Sequence, residues 1–373
     1  MDQIQLFIKK LMETSTAEQP AWNVEVKLDN GVAKWNYVDG CMIKAILEMY
    51  KITEEKTYLN FADAFIDKFV SEEGVILGLD VAVYNIDNIN AGKVLFELYA
   101  FTGKAKYRKG IEFLYDLLQS HPRTEAGNFW HKGIYPNQVW LDGLYMAQPF
   151  YMAYETKFNN LGKYRDIFKQ FETVHKLMRD DKTGLYYHGY DESRAMHWCD
   201  KTTGLSPNFW SRSMGWYVMA LVDTLEEMSE LMFYEYRTLM SYFKEAIETL
   251  LKFQDEETGM WYQVIDKGEI QGNYLETSGS AMISYAILKG VRLEFLPERY
   301  KGHGQKAYKG IMDRYLTTSE AGINLGGICL VAGLGGDSMR DGSFEYYISE
   351  PVVENDAKGV GPFLFAYTET LRD

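Results

Sequence analysis

The sequence predicts an all-α fold, an (α/α)6 barrel of six helical hairpins with short β-hairpins in the loops at its rim. Three observations predict it. An apolar helical segment that starts near a glycine recurs six times, amphipathic segments alternate with it, and the loops leading into the glycine segments are long. Because no Pro, Gly or Ser tract resembling a linker interrupts the pattern, residues 1–373 are expected to form a single barrel domain.

The apolar segments share a common start. In each, polar or aromatic residues precede a glycine and an apolar helical run follows it, and successive glycines are separated by about 50 to 80 residues. Glycine inside a helix costs about 1 kcal/mol relative to alanine, so its recurrence predicts close backbone approach near each helix start. The aligned glycines are Gly40, Gly92, Gly143, Gly215, Gly279 and Gly359.

The segments between them carry one charged face, as in KTYLNFADAFIDKFV and KAYKGIMDRYL. We therefore expect the glycine-bearing helices to form an inner ring and the charged helices an outer ring, which the N-terminal segment completes. Connections from inner to outer helices are tight, whereas those from outer to inner helices run to about 15 to 40 residues. The functional face is thus expected where the inner helices begin. Motifs there such as TGLYYHGYD are typical of short hairpins.

Composition narrows the class of function. With 39 Lys and Arg against 53 Asp and Glu, the net charge of −14 argues against nucleic-acid and anionic-membrane partners. No run approaches the ~18 apolar residues of a membrane span, and MDQIQLFIKKLMET lacks the features of a secretory signal, so a cytoplasmic location is expected. Cys41, Cys199 and Cys329 are odd in number and widely spaced, which favours reduced thiols over disulfides or a zinc site.

Acidic residues recur where the inner helices start. Asp142 stands out because it follows Trp140 in an almost continuous apolar and aromatic segment, a setting that suits a general acid. Asp87 is the candidate second carboxylate, whose negative charge would help to keep Asp142 protonated, with the alternative that it is the N-cap of its helix. Helix capping is the expected role of Asp39 and Asp356.

Cations and aromatic residues accompany these acids. Arg212 follows Trp210 and Lys132 follows His131, and each cation is either an ion-pair partner or a recognition group for an acidic sugar. His131 and His188 do not form a metal set, since HExxH is absent and the six histidines are scattered. Neither a metal nor a cofactor is expected. Most of the aromatic residues, 15% of the chain, are expected in the core, and some against sugar rings.

The chain resembles the unsaturated rhamnogalacturonyl hydrolases, glycoside hydrolase family 105, from Trp35 onward. Five strings in this order carry the resemblance: FWHKGIYPNQVWLDGLYM, TGLYYHGYDE, SPNFWSRSMGWYVM, TGMWYQVIDKG and RDGSFEYYISEPVVENDAKGVGPFLFAYTE. It implies the (α/α)6 barrel and an enzyme that acts in pectin degradation. Such an enzyme removes 4,5-unsaturated galacturonic acid from the non-reducing end of rhamnogalacturonan oligosaccharides by hydrating the C4=C5 double bond.

The resemblance also implies roles for individual residues. Asp142 matches the general acid/base of the family's WLDG motif, and Asp87 matches its second aspartate. No cofactor is implied, and the partner is a small acidic oligosaccharide; the oligomeric state stays open, with a monomer favoured. The implied substrate-binding positions are Tyr37, His131, Lys132, His188, Arg212 and Trp216.

Other functions remain as alternatives. The nearest is an unsaturated glucuronyl hydrolase of family 88, which has the same fold and chemistry but acts on glycosaminoglycan fragments. More distant are an inverting glycosidase or a sugar epimerase on the same barrel. The non-enzyme alternative is a sugar-binding barrel that has lost turnover.

Overall fold

A computed structural model describes residues 2–320 and 322–372, and its helices form two concentric rings. Neighbouring helices of the inner ring are in contact all the way round, and the last of them packs against the first. The inner helices are α3 (Tyr37–Thr53), α5 and α6 (Asp87–Asn90 and Lys93–Thr102), α8 (Asp142–Phe158), α10 (Ser211–Glu227), α12 (Thr277–Arg292) and α15 (Ala357–Thr370).

The outer ring packs on the inner one, and every outer helix after the first contacts the inner helix that precedes it in the chain. The outer helices are α1 (Gln3–Glu13), α4 (Lys56–Asp67), α7 (Ala105–Gln119), α9 (Tyr164–Met178), α11 (Phe233–Leu251) and α13 (Lys301–Tyr315). The Tyr367 hydroxyl of α15 donates to the Asp2 carboxylate at 2.5 Å, which ties α1 to the last inner helix. The predicted (α/α)6 barrel is confirmed.

Burial distinguishes the two rings. In α12 almost every residue is buried, as expected for a helix surrounded by protein. In α9 only one stripe is buried, at spacings of three and four residues that include Ile167, Phe171, Val174 and Met178. The predicted difference between apolar and charged-faced segments therefore follows from their places in the barrel.

Side-chain caps fix the starts of several inner helices. Asn36 accepts from the backbone N–H of Asp39 at 2.8 Å, and Glu276 accepts from Gly279 at 2.7 Å. Asp356 caps α15, as predicted, by accepting from the backbone N–H of Lys358. Asp39 lies within the first turn of α3 and is not its cap.

Glycine permits close helix packing at most of the aligned positions. A β-carbon at Gly40 would lie 2.6 Å from the α-carbon of Ala91, and one at Gly279 would lie 2.7 Å from the carbonyl carbon of Ser211. At Gly143 the nearest atom would be 3.5 Å away, an ordinary contact, so close approach was a wrong prediction there. Of the other glycines, Gly92 and Gly215 face side chains of neighbouring helices, and Gly359 faces Ile328 in a rim segment.

Short strands line the rim. They pair as β1 (Gln138–Trp140) with β2 (Gly189–Asp191), β3 (Trp261–Tyr262) with β4 (Leu275–Glu276), β5 (Leu316–Ser319) with β6 (Gly322–Leu325), and β7 (Ile328–Cys329) with β8 (Val352–Val353). The first pair joins two different rim loops, and the end of TGLYYHGYD also pairs within its own loop, where Tyr190 bridges Leu205. An isolated two-stranded hairpin is marginal in water, and pairing between loops anchors both.

Two short helices, α2 (Val24–Leu28) and α14 (Phe344–Ser349), also lie in rim loops. In residues 2–320 and 322–372, no helix is both long and apolar enough to cross a membrane.

Candidate active site

A cavity of about 650 Å³ opens where the inner helices begin. Seven of the eight predicted site residues line it, and His188 lies buried behind the wall. The lining residues are Glu25, Tyr37, Asp87, His131, Lys132, Tyr135, Trp140, Asp142, Met146, Trp210, Arg212, Trp216, Val331, Ala332 and Arg340.

Asp142 is the first residue of α8 and is buried at the cavity wall. One of its carboxylate oxygens, Oδ2, is buried without a hydrogen-bond partner, and it lies 3.3 Å from Nε2 of His188. Strand pairing brings these residues together, because Trp140 pairs with Gly189 and the backbone N–H of Leu141 donates to the His188 carbonyl at 2.9 Å. Because Oδ2 is buried against His188, the other carboxylate oxygen of Asp142 is the one that can exchange a proton with a ligand in the cavity.

His188 is held from its other side. Its Nδ1 lies 2.7 Å from the hydroxyl of Tyr347, whose pKa is raised well above its ordinary value by burial. The hydroxyl therefore stays protonated and can donate to Nδ1. In that arrangement the imidazole proton is on Nε2, which faces the unpartnered oxygen of Asp142.

Asp87 forms an ion pair with Lys132, whose Nζ lies 3.0 Å from its Oδ2, and Nε2 of His131 lies 3.8 Å from its Oδ1. Burial alone would raise the pKa of Asp87, but Lys132 and His131 outweigh it and hold that pKa below its usual range. Asp87 is therefore ionised at neutral pH. It does not cap its helix, and Lys132 offsets much of the charge that was expected to act on Asp142.

His131 lies between the two carboxylates. Its ring stacks on Trp140 with centroids 4.3 Å apart, and its Nδ1 is buried without a hydrogen-bond partner. Burial lowers the pKa of His131 to about 4, although the charge of Asp87 acts in the opposite direction. The imidazole is therefore neutral at neutral pH.

Acid is expected to destabilise the fold through two buried histidines. Burial lowers the pKa of both His131 and His121 to about 4. The unfolded chain binds these protons near pH 6.5, so it holds more protons than the folded chain between about pH 4 and 6.5. The free energy of unfolding should therefore fall by about 1.4 kcal/mol per pH unit for each histidine as the pH drops through this window. Denaturant titrations measure the slope.

Substitution of His131 shows how much of this pH dependence comes from the active-site histidine. His131→Gln should lower the slope of the free energy of unfolding against pH by the contribution of about one proton, since glutamine does not titrate. His197→Gln, at an exposed position, serves as the control and should keep the wild-type slope. Equal slopes for wild type and His131→Gln would show that His131 takes up its proton equally well in the folded state.

Arg212 is almost fully buried at the start of α10. Its Nε donates to the Ser278 hydroxyl at 2.7 Å, and its terminal nitrogens donate to the carbonyls of Leu330, at 3.3 Å, and Cys329. Glu276 lies 3.8 Å away. Most of the guanidinium thus binds neighbouring protein groups, and the rim segment that it holds continues into the cavity wall at Val331 and Ala332.

Aromatic rings form another wall. Trp216 stacks on Tyr145 with centroids 4.7 Å apart and meets Tyr37 edge to face. Burial raises the pKa of Tyr37 well above its ordinary value, so its hydroxyl remains protonated and can donate a hydrogen bond. Flat rings with hydroxyl groups at the edge suit a sugar.

Sequence reasoning missed three polar residues of the cavity. Arg340 donates from Nε to the Gly335 carbonyl at 3.0 Å and from a terminal nitrogen to the Tyr135 hydroxyl at 3.1 Å, so its guanidinium is oriented at the wall. Glu25 accepts from Lys358 at 2.7 Å. The glycine-rich loop that precedes Arg340 is a local signal for the first of these, whereas no local pattern marks Tyr135 or Glu25.

No group of His, Cys, Asp or Glu among the described residues is arranged to hold a metal ion. Cys41, Cys199 and Cys329 are free and buried.

This site occurs in a chain whose residues 7–373 match the family model described as Glycosyl Hydrolase Family 88. The chain belongs to this family. It is also similar to a solved glycoside hydrolase of family 105 from C. acetobutylicum, at 46% identity and a TM-score of 0.89, over 96% of this chain and 98% of that one. That likeness confirms the family that the motifs indicated.

The chain is also similar to two curated proteins, one of which is named as a hydrolase. The unsaturated rhamnogalacturonyl hydrolase YesR of Bacillus subtilis is 25% identical over 285 residues, which cover 75% of this hydrolase and 76% of YesR. Protein Atu3128 of Agrobacterium fabrum is 39% identical over 236 residues, 61% of this hydrolase and 98% of that protein. The chain is therefore an enzyme of the glycoside hydrolase class that acts on oligosaccharides.

Proposed function

We propose that this enzyme releases 4,5-unsaturated galacturonic acid from the non-reducing end of rhamnogalacturonan oligosaccharides. The observation that carries the proposal is the carboxyl group of Asp142 at the wall of the cavity, with one of its oxygens held beside His188. Family membership and the similarity to YesR support the substrate class.

In the proposed reaction Asp142 donates a proton to C4 of the C4=C5 enol ether. The resulting carboxylate takes a proton from a water molecule as that water adds to C5. The hemiketal so formed opens by breaking the bond between C5 and the ring oxygen, which leaves a ketone at C5. The hemiacetal left at C1 then releases the aglycone as an alcohol.

Cations at the wall support binding of an acidic sugar. Arg340 presents a guanidinium oriented by Gly335 and Tyr135, which suits a carboxylate. His188 is a positioning residue for Asp142, and Asp87 with Lys132 forms a fixed charge pair beside His131. Trp216 would stack on the flattened ring, and the Tyr37 hydroxyl would donate a hydrogen bond to it.

Turnover of unsaturated galacturonyl-rhamnose tests the proposal. The ultraviolet absorbance of the conjugated enol ether should disappear. When the product is reduced with borohydride at once, before its carbonyl groups exchange oxygen with the solvent, oxygen from labelled water should be found at C5 and not at C1. A saturated galacturonyl-rhamnose disaccharide should be left intact. Faster turnover of a chondroitin-derived unsaturated disaccharide would instead support the glucuronyl hydrolase alternative, and label at C1 would refute hydration of the double bond.

The proposal also covers the domain organisation, the location and the oligomeric state of the enzyme. We infer a single catalytic domain, since helices from α1 to α15 contribute to one pair of rings. A cytoplasmic location fits the three buried free thiols. A monomer stays a prediction, which sedimentation analysis of the purified enzyme would test.

A further inference from the structure

A second cavity of about 700 Å³ lies near the opposite end of the inner ring. It is lined by residues in the later turns of α8, α10 and α12 and along α6. The active-site cavity lies where these helices begin. The stacked pair of Tyr145 and Trp216 lies between the two cavities, because Trp216 lines the active site and the ammonium nitrogen of Lys93, in the second cavity, sits 3.3 Å from the Tyr145 ring centroid.

Lys93 is the unusual charge of this cavity. Its Nζ is buried and has no hydrogen-bond partner. The other three lysines of the lining all have carboxylate partners, since Lys44 lies 2.6 Å from Glu97, Lys289 lies 2.6 Å from Asp223, and Lys157 contacts Glu227. The four lysines are matched in number by four carboxylates, Glu97, Asp223, Glu226 and Glu227. A ligand with one negative charge can pair with the Lys93 ammonium group, whereas a dianion would meet stronger repulsion from these carboxylates.

Glu97 supplies the complementary polar atom. It lies one helical turn after Lys93 on α6, and its Oε2 is buried without a hydrogen-bond partner, while its Oε1 accepts from Lys44 at 2.6 Å. The cavity thus offers an ammonium group without a hydrogen-bond acceptor and a carboxylate oxygen without a donor on the same helix face. Phe96, Phe101 and Pro149 add apolar walls.

We propose that the second cavity binds a small hydroxycarboxylate, with its carboxylate on Lys93 and a hydroxyl donating to Glu97. A neutral sugar would leave the ammonium group unpaired, and a simple carboxylate would leave the Glu97 oxygen unpaired. The carbon skeleton of the ligand packs against the aromatic wall. Access is from solvent at Phe101, which is 40% exposed.

The titration of Lys93 supports this assignment. Burial lowers its pKa to about 7; Lys44 and Lys289 lower it further, while Cys41 and Asp223 raise it. A bound carboxylate favours the charged form of the amine and so raises that pKa. Binding is therefore accompanied by proton uptake near neutral pH.

The test is nuclear magnetic resonance of the full-length enzyme labelled with ¹³C at the lysine ε-carbons. Lys93 is the lysine that titrates near neutral pH, and loss of its signal in Lys93→Met, or in Lys93→Arg if the first variant does not fold, assigns it. Sodium D-galacturonate should raise its pKa by at least about one unit, equivalent to at least about tenfold tighter binding to the charged form. D-galactose should leave it unchanged.

Two further comparisons define the site. Acetate should shift the pKa less than galacturonate does, and Glu97→Gln should reduce that difference because the amide replaces the free carboxylate. Lys68→Met, at an exposed lysine, is the matched control and should preserve the galacturonate response. Equal shifts with galactose and galacturonate, or no shift with galacturonate, would overturn the proposal whether or not the enzyme turns over its unsaturated substrate.

Discussion

Asp142→Asn is expected to lower kcat at least about a hundredfold while leaving KM nearly unchanged. The amide keeps the shape of the side chain but has no proton to transfer to C4. Its amide group occupies the same position 3.3 Å from His188, so the cavity retains its walls. Loss of enol-ether absorbance measures turnover, and binding of the intact substrate can be measured directly on the inactive variant.

Asp39→Asn provides a control at an equivalent place in another inner helix. Asp39 is also buried in a first helical turn, but its carboxylate accepts from Trp22 at 2.9 Å and from Asn23 at 3.2 Å, away from the cavity. The variant should lose stability and keep the kcat of the folded enzyme. Near-normal kcat in Asp142→Asn would remove Asp142 from the acid role.

Arg212→Lys is expected to lower kcat/KM about tenfold to a hundredfold and to destabilise the fold by about 1–3 kcal/mol. A single ammonium group cannot replace a planar fork that holds Ser278 and the carbonyls of Cys329 and Leu330 at once. The cavity wall carried by this segment would lose its support. Steady-state kinetics and denaturant titration measure the two effects.

The outcome separates two roles of the guanidinium. If Arg212 mainly contacts the substrate carboxylate, KM should rise with little change in stability. Arg123→Lys is the matched control, because Arg123, in a rim loop, binds Asp166 of the outer helix α9 through two nitrogens at 2.7 and 2.8 Å. It should lose stability and keep kcat/KM. Unchanged kinetics and stability in Arg212→Lys would contradict both roles.

The parts of the fold that depend on local patterns were predictable from the sequence. Helical periodicity and the repeated glycines predicted two rings, because each helix follows from its own residues and Gly40 or Gly279 marks a local close approach. The position of Asp142 at the start of α8 was predictable for the same reason. Motifs that match a family then pointed to the class of enzyme.

Contacts between distant segments were not predictable. Arg340 reaches Tyr135 from a segment about 200 residues further along the chain, and nothing in either local sequence specifies that contact. The alternative that Asp87 is an N-cap was wrong for the same reason. An N-cap is a local interaction, whereas its ion pair with Lys132 depends on the bridge that joins Asn85 to Lys132 between two rim loops.

The antiparallel pairing of β1 with β2 fixes the relative positions of the active-site acid and the imidazole through the register of the two strands. Trp140 pairs with Gly189, so Asp142 and His188 are placed by their offsets of two residues and one residue from that pair. An insertion or deletion of a single residue in either strand would turn alternate side chains to the opposite face and separate the acid from the imidazole. Length variation during evolution is therefore restricted in these six residues, whereas the exposed turn at Lys201–Thr203, beyond β2, is free to accept a grafted loop.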